Sequence, residues 1–349
     1  MADTTVTIAA DRLEAYARDI LAVAGVPAAH AALWAEVLVW SNLRGTDSHG
    51  VARIPGYLAW IANGTIVADA EPRLLRSTVA TAVFDGAFAP GPVGMLRASD
   101  EAMALAREAG IGWVQARDLA HVGPLGWYAR RIAGHGLVAI LLLASRGPMA
   151  WPDARGVGSA TSPLAIAIPA GKAGIYAVDM STTTVAMGQI LAARDAGRAI
   201  PEGWAADAEG RPTTEAARAT MLMPLGGYKG AALSFMIECL AGGLVANSMM
   251  LNALSGRSSR VSHQNCVLAV LDPSAMGDPA TSAAEIAALG EAIRALPALP
   301  GTAGPVLPGE RGDRIFAARR RDGIPLAAET WQHLGEAATA LGVAVPSLV

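Results

Sequence analysis

The sequence predicts an α/β protein with helices at both ends. Three observations carry that reading. Apolar residues recur at helical spacing over positions 1–70, short apolar runs alternate with helical stretches over 71–309, and helical spacing returns after Asp313.

In the first segment Leu13, Tyr16, Ala17, Ile20, Leu21 and Ala24 form one stripe that stops at Gly25. Pro27 suits the first turn of a second helix, which carries Leu33, Val37 and Leu38 toward Gly45. A third apolar segment around Tyr57, Leu58 and Ile61 ends at Asn63-Gly64. Pro55 disfavours helical geometry at Ile54 and so weakens a continuous helix from His49 to Tyr57. Strand-like runs follow at 81–84, 112–116, 137–144, 164–168, 175–178 and 266–271, with helical ones at 98–109, 185–193, 231–246 and 282–296. Gly/Pro-rich loops at 147–158 and 297–309 are of a kind that more often carries function than filler. The stretch after Asp313 can fold back on the first helices. That gives a discontinuous helical domain, 1–70 with 310–349, and an α/β domain, 71–309, with an inserted subdomain near 185–260.

Hydrophobic residues make up 52% of the chain and charged ones 16%, with mean hydropathy +0.36. So little charge requires apolar surface to be hidden between subunits as well as in a core, which predicts an oligomer. The formal net charge is −3, with 27 basic against 30 acidic side chains, which argues against nucleic acid as a partner. Arg319-Arg320-Arg321 reads as a solvated helix end. Cys239 and Cys266 read as buried thiols of a reducing compartment. No basic-then-apolar leader opens the sequence, and the strongly apolar run 137–144 is too short to span a bilayer. The expectation is a cytoplasmic protein with no membrane partner.

Among six histidines, His30, His135, His263 and His333 read as surface or structural residues, whereas His49 and His121 stand in loops among small residues. Ser48 precedes His49, Arg53 follows by four positions and Tyr57 by four more. A histidine titrating near neutrality can exchange a proton with a substrate oxygen, and an arginine can grip a carboxylate with two prongs. The competing reading is a capping cluster, with Ser48 or Asp47 as N-cap and His49 merely exposed; the residues alone weigh the two equally. The run from His121 to Gly126 brings N–H groups to a helix start, a favourable place for phosphate. Gly226-Gly227-Tyr228-Lys229-Gly230 is a second candidate cradle, although the Walker A spacing is absent. Asp179-Met180-Ser181-Thr182-Thr183 reads either as a helix cap or as hydrogen-bonding groups for a ribose or nicotinamide amide. No GxGxxG follows a strand, no GxSxG elbow is present and no metal-ligand set stands out.

Taken in order, the segments Arg44 to Gly50 with Arg53, the loop at His121, and Thr161-Ser162-Pro163-Leu164-Ala165-Ile166-Ala167 form a familiar set. It continues through Asp179 to Thr183, Ile200-Pro201-Glu202-Gly203-Trp204, Pro212-Thr213-Thr214 and Gly226 to Gly230. With these motifs the chain resembles the non-Rossmann malate/L-lactate dehydrogenase family. The resemblance implies a mixed, largely antiparallel sheet as the cofactor domain, of the L-sulfolactate dehydrogenase type, with the discontinuous helical domain serving substrate and dimer contacts. It implies a homodimer that uses NAD or NADP to move a hydride to or from a small 2-oxo or 2-hydroxy acid. By position, Ser48, His49 and His121 resemble the catalytic residues, and Arg53 and Tyr57 the substrate-side ones. His121, Ser145, Asp179, Met180, Ser181, Lys229, Pro300, Gly301 and Thr302 resemble cofactor contacts. The proton donor is a choice between His49 and His121, with His49 favoured. The low aromatic content points to apolar side chains, not a stacking clamp, around the nicotinamide.

Two positions depart from the family pattern. Ser162 stands where asparagine is usual, and Gln189 stands where some imine reductases carry an acid. The second weakens an alternative reading as a cyclic imino acid reductase. A non-catalytic nucleotide-binding relative is the remaining alternative, disfavoured by the retained Ser48, His49 and Lys229.

Overall fold

A computed structural model describes residues 5–257 and 263–348. Strand β1 (Thr5–Ile8) leads into helices α1 (Ala10–Val23), α2 (Ala28–Leu43) and α3 (Ile54–Ala62), with two 3-10 turns, Asp47–His49 and Val51–Arg53, between the last two. Next come β2 (Arg73–Ser77), β3 (Thr81–Asp85), α4 (Gly91–Ala109), β4 (Ile111–Leu119), α5 (Leu125–Gly134) and β5 (Val138–Ala144). The chain continues through β6 (Met149–Ala150), β7 (Val157–Ser159), β8 (Leu164–Pro169), β9 (Ile175–Met180) and α6 (Met187–Asp195). After β10 (Ala205–Ala206), β11 (Pro212–Thr213) and β12 (Met221–Leu222) come α7 (Tyr228–Ala241), α8 (Met249–Leu254), β13 (Gln264–Leu271) and α9 (Pro279–Arg294). The C-terminal segment holds α10 (Glu310–Asp322), β14 (Ile324–Ala327) and α11 (Ala328–Ala340).

Among the described residues, seven strands form the main sheet in the order β2-β3-β4-β13-β5-β8-β9. Every neighbouring pair is antiparallel except β3 with β4, as expected for a mixed, largely antiparallel sheet. Strand β13 takes the middle because Asn265 to Val270 are buried on both faces, which suits its unbroken apolar run. Helices α4 and α5 cover one face, burying Met95, Ala102, Tyr128 and Ile132 against Val114, Leu141 and Leu268. A second core gathers Leu13, Ile20, Trp34, Leu38 and Tyr57 from the N-terminal helices with Ile324, Leu326 and Leu334 from the C-terminal segment. Helix α2 buries apolar residues on two sides because it lies between these cores, Val37 facing one and Trp34 the other. Val185, Ile190, Ile200, Ala205 and Leu222 form a smaller separate core beside the five-stranded sheet β11-β10-β12-β6-β7.

Three expectations are corrected here. Pro55 does not delay α3, since Ile54 is already helical and the proline occupies the first turn, where no backbone donor is lost. The C-terminal segment is not purely helical, because β14 pairs with β1 from Ile8↔Ile324 to Thr5↔Ala327 and binds the two chain ends together. A longer apolar stretch exists than 137–144. Tyr228–Val245 meets the length and composition of a membrane span at mean hydropathy 1.2, yet it packs Ala241 against the sheet and carries Lys229 and Glu238, so it is no clear span.

Candidate active site

The segment from Asp47 to Arg53 is held by the end of α2 just before it and by one residue from the distant C-terminal segment. Asn42, near the end of α2, donates through Nδ2 to Asp47 (2.7 Å) and accepts the Val51 N–H on Oδ1 (2.9 Å). Gly50 must lack a side chain, because a Cβ there would lie 2.2 Å from Asn42 Oδ1. Arg319 of α10 reaches in from the C-terminal segment. It donates from Nη1 and Nη2 to the Asp47 carboxylate (2.8 and 3.2 Å) and from Nη1 to the Asn42 carbonyl. Arg319 is therefore not part of a solvated helix end, since a charge-assisted fork on Asp47 draws it in. Asp47 and Ser48 do not cap a helix either, and the turn has no side-chain cap.

This frame brings Ser48, His49, Arg53, Tyr57 and His121 together. Ser48 Oγ and His49 Nδ1 lie 3.1 Å apart, and the rings of His49 and His121 stand 5.6 Å centroid to centroid at 30°. Tyr57 Oη lies 2.7 Å from His121 Nδ1, and Arg53 Nη2 lies 3.0 Å from His121 Nε2. Tyr57 is only 1% exposed, so it meets the site through His121 and presents almost no surface of its own to a substrate. Burial, reinforced by the charge of Arg53, lowers His49 to about 4 and holds His121 well below the ordinary histidine range. Burial also pushes Tyr57 up to about 12, against the pull of Arg53. Among the described residues Arg53 has no carboxylate partner, and its Nε is buried without a hydrogen-bond acceptor. Its neighbours Arg44 and Arg319 pair with Asp313 (2.7 Å) and Asp47.

Beside this cluster lies a cavity of about 360 Å³ lined by Met180, Ser181, Thr183, Val185, Gln189, Trp204 and Leu225, among others. Helix α6 contributes Gln189 to its wall and sets Gly188 against Ser48, whose Cβ would lie 3.8 Å from a Cβ added at Gly188, so cavity and cluster adjoin. Trp204 contributes an indole to an otherwise non-aromatic lining. Directly after Leu225, Gly226 and Gly227 both adopt positive φ (59° and 64°) and turn the chain into α7, where Lys229 is exposed.

The remaining expected contacts are spread more widely. Met180 and Ser181 line the cavity, but Asp179 alternates to the other side of β9 and accepts the Gly126 N–H (2.7 Å). Packing around that carboxyl raises it to about 6, although the residue keeps exposed area and both Gly126 and Arg44 oppose the shift. The phosphate cradle expected between His121 and Gly126 is corrected by this contact. The Val122 N–H goes to Gln264 (2.9 Å) and that of Gly126 to Asp179, so two of the donors are already engaged. Ser145 is buried at the end of β5. Pro300, Gly301 and Thr302 lie on an exposed loop outside the cavity lining, with the Thr302 hydroxyl donating to Leu299 O within its own turn. Ser162 is buried with φ 28° and accepts from Ser234 Oγ (2.9 Å), so a small hydroxyl fills the turn where asparagine is usual. Arg319 and Gln264 carried no sequence signal because each acts across the fold, whereas Asn42 acts only five and nine positions away but has no distinguishing pattern around it.

The sequence profile of malate/L-lactate dehydrogenase matches residues 8–335. L-sulfolactate dehydrogenase from Methanothermobacter thermautotrophicus is 34% identical over 314 residues, covering 88% of this chain and 89% of that protein. The (2R)-3-sulfolactate dehydrogenase (NADP(+)) from Chromohalobacter salexigens is 34% identical over 307 residues, 84% of this chain and 90% of that protein. The structure of malate dehydrogenase from Pyrococcus horikoshii OT3 superposes with a TM-score of 0.88 at 28% identity, over 98% of this chain and 97% of that one.

Proposed function

Because the chain belongs to the malate/L-lactate dehydrogenase family, we propose that it moves a hydride between the nicotinamide of NAD or NADP and C2 of a small 2-hydroxy or 2-oxo acid. One observation carries the substrate class: the guanidinium of Arg53 has no carboxylate partner among the described residues and lies 3.0 Å from His121 Nε2. In a 2-oxo acid the carboxylate and the C2 oxygen sit on adjacent carbons. The group that exchanges the C2 proton must therefore stand beside the group that grips the carboxylate.

That geometry supports His121 over His49, which the sequence favoured. Tyr57 fixes Nδ1 of His121 and leaves Nε2 toward the carboxylate site, as an acid/base needs one nitrogen oriented and the other presented. His49 stacks alongside and, with Ser48, closes the substrate side. The cavity fits a planar amide-bearing ring, with hydroxyls from Ser181, Thr183 and Thr184 and walls from Met180, Trp204 and Leu225. The adjoining glycine turn and Lys229 suit its phosphates. When bound, the cofactor supplies the hydride acceptor or donor. In oxidation Arg53 orients the carboxylate and His121 Nε2 takes the hydroxyl proton; in reduction His121 returns it.

The test is oxidation of NADH or NADPH by the purified protein with a panel of small 2-oxo acids and cyclic imino acids. Turnover with an oxo acid is expected, and slower turnover with imino acids, since neutral Gln189 stands in the cavity wall. No turnover and no nucleotide binding across the panel contradicts the proposal. Exposed Leu233, Phe235 and Met236 on α7 support a homodimer, which sedimentation would register, and a cytoplasmic setting is part of the same reading.

A further inference from the structure

We infer that binding of the substrate carboxylate converts His121 from a capped ring into a proton carrier by drawing Arg53 off its Nε2; this rests on the hydride-transfer reading above. A guanidinium has N–H donors and no acceptor, and it stays charged at any working pH. With Arg53 Nη2 at 3.0 Å, His121 Nε2 must present its lone pair. The single proton of the neutral ring then sits on Nδ1 and is donated to Tyr57 Oη at 2.7 Å. The Gly123 N–H, at 3.3 Å from Nδ1, is the longer contact and finds no lone pair there. Tyr57 thereby selects the tautomer, and Arg53 occupies the nitrogen on which chemistry depends.

A proton arriving at Nε2 would set two N–H donors against each other at 3.0 Å beside a full positive charge. His121 cannot carry the proton while Arg53 stands there. The groups around the ring offer no relief: His49 from its 3-10 turn, Tyr57 from α3, and Tyr128 of α5 behind Tyr57 bring no negative charge, and burial disfavours a phenolate at either tyrosine. Arg53 has its own unmet demand, a buried Nε without an acceptor. A two-pronged carboxylate answers it, neutralises the guanidinium and pulls Nη2 toward the ligand, since both forks of arginine use that nitrogen. The freed Nε2 then takes a proton from solvent. In reduction that proton would pass to the C2 oxygen, the hydride for C2 being supplied by the reduced nicotinamide when bound. The C=O π bond breaks, C–H and O–H bonds form, and His121 is left neutral.

The experiment is calorimetric titration of the NADH- or NADPH-saturated protein with oxamate, an unreactive 2-oxo acid analogue, in buffers of different ionisation heat between pH 5.5 and 8. Proton uptake is expected, with oxamate affinity weakening about tenfold per pH unit as pH rises between the free and bound pKa of the ring. His121→Asn removes both the uptake and the pH dependence, and His49→Gln keeps them. As an independent readout, NMR titration of ligand-free Arg53→Ala shows His121 protonating at a pH at least one unit above wild type. Oxamate binding without proton uptake, uptake that survives in His121→Asn, or an unmoved His121 titration in Arg53→Ala each overturns the switch. Turnover across the 2-oxo acid panel is read separately, so these results leave the hydride-transfer reading standing, and absent turnover strikes that reading instead.

Discussion

Two histidines are buried at the end of β4, and they are treated in opposite ways. His263 has a carboxylate, with Nε2 2.8 Å from Asp118 Oδ1, and Asn247 donates to the same oxygen (3.0 Å). Burial works to raise Asp118, but the hydrogen bonds from His263 and Asn247 outweigh it and hold the carboxyl below its ordinary range. His121, three positions after Asp118 in the chain, faces a guanidinium and a tyrosine. Burial and residue type are the same in both places, and the sign of the partner differs. Where the protein supplies the counter-charge, the histidine holds strands together. Among the described residues no acid stands beside Arg53, which faces His121 instead.

This contrast is sharpest at Arg53 itself. Arg53→Ala is expected to lower kcat/KM for the 2-oxo acid about a thousandfold, roughly 4 kcal/mol, the scale of a truncated desolvated ion pair. Thermal melting should stay within a few degrees of wild type, because no carboxylate among the described residues loses a partner. His121→Asn comes next, with kcat down about a hundredfold and nucleotide affinity unchanged. Arg319→Ala loosens the turn from a distance. About a tenfold loss in kcat/KM and ~1–2 kcal/mol in denaturant stability are expected, since two charge-assisted bonds to half-exposed Asp47 are removed. His263→Asn reverses the pattern, costing ~1–3 kcal/mol of stability while kcat stays within about twofold.

A further effect is a pH dependence of stability. His49 falls from 6.5 in the unfolded chain to about 4 in the folded one, so the unfolded state binds more protons between those values. Its contribution is intact above pH 6.5 and is lost as pH falls toward 4. Asp179, raised to about 6, works in the opposite direction. The measurement is therefore the difference in unfolding free energy between wild type and His49→Gln, which narrows as the solution is acidified.

Local pattern made much of this legible in the sequence. The run 137–144 announced β5, and Gly25 and Gly45 marked where α1 and α2 stop. Strand β14 escaped because four residues containing Pro325 show no clear alternation, and its partner β1 is remote in sequence. Chemistry within a few positions was visible too: Ser48, His49 and Arg53 are neighbours along the chain. The pairing of Tyr57 with His121 spans 64 positions and that of Asp47 with Arg319 spans 272, so no spacing rule reaches them. Asp179 drew notice as an acid ending a strand, but only the fold showed its carboxylate taking the Gly126 N–H that had looked ready for phosphate.

The central claim, that Arg53, which has no carboxylate partner among the described residues, grips the substrate carboxylate, is tested most directly by comparing kcat/KM for the preferred 2-oxo acid with that for its methyl ester, in wild type and in Arg53→Ala. Wild type should favour the acid by about a thousandfold, and the variant should bring that ratio to within about tenfold of unity. A preference for the acid that survives intact in Arg53→Ala would contradict the account.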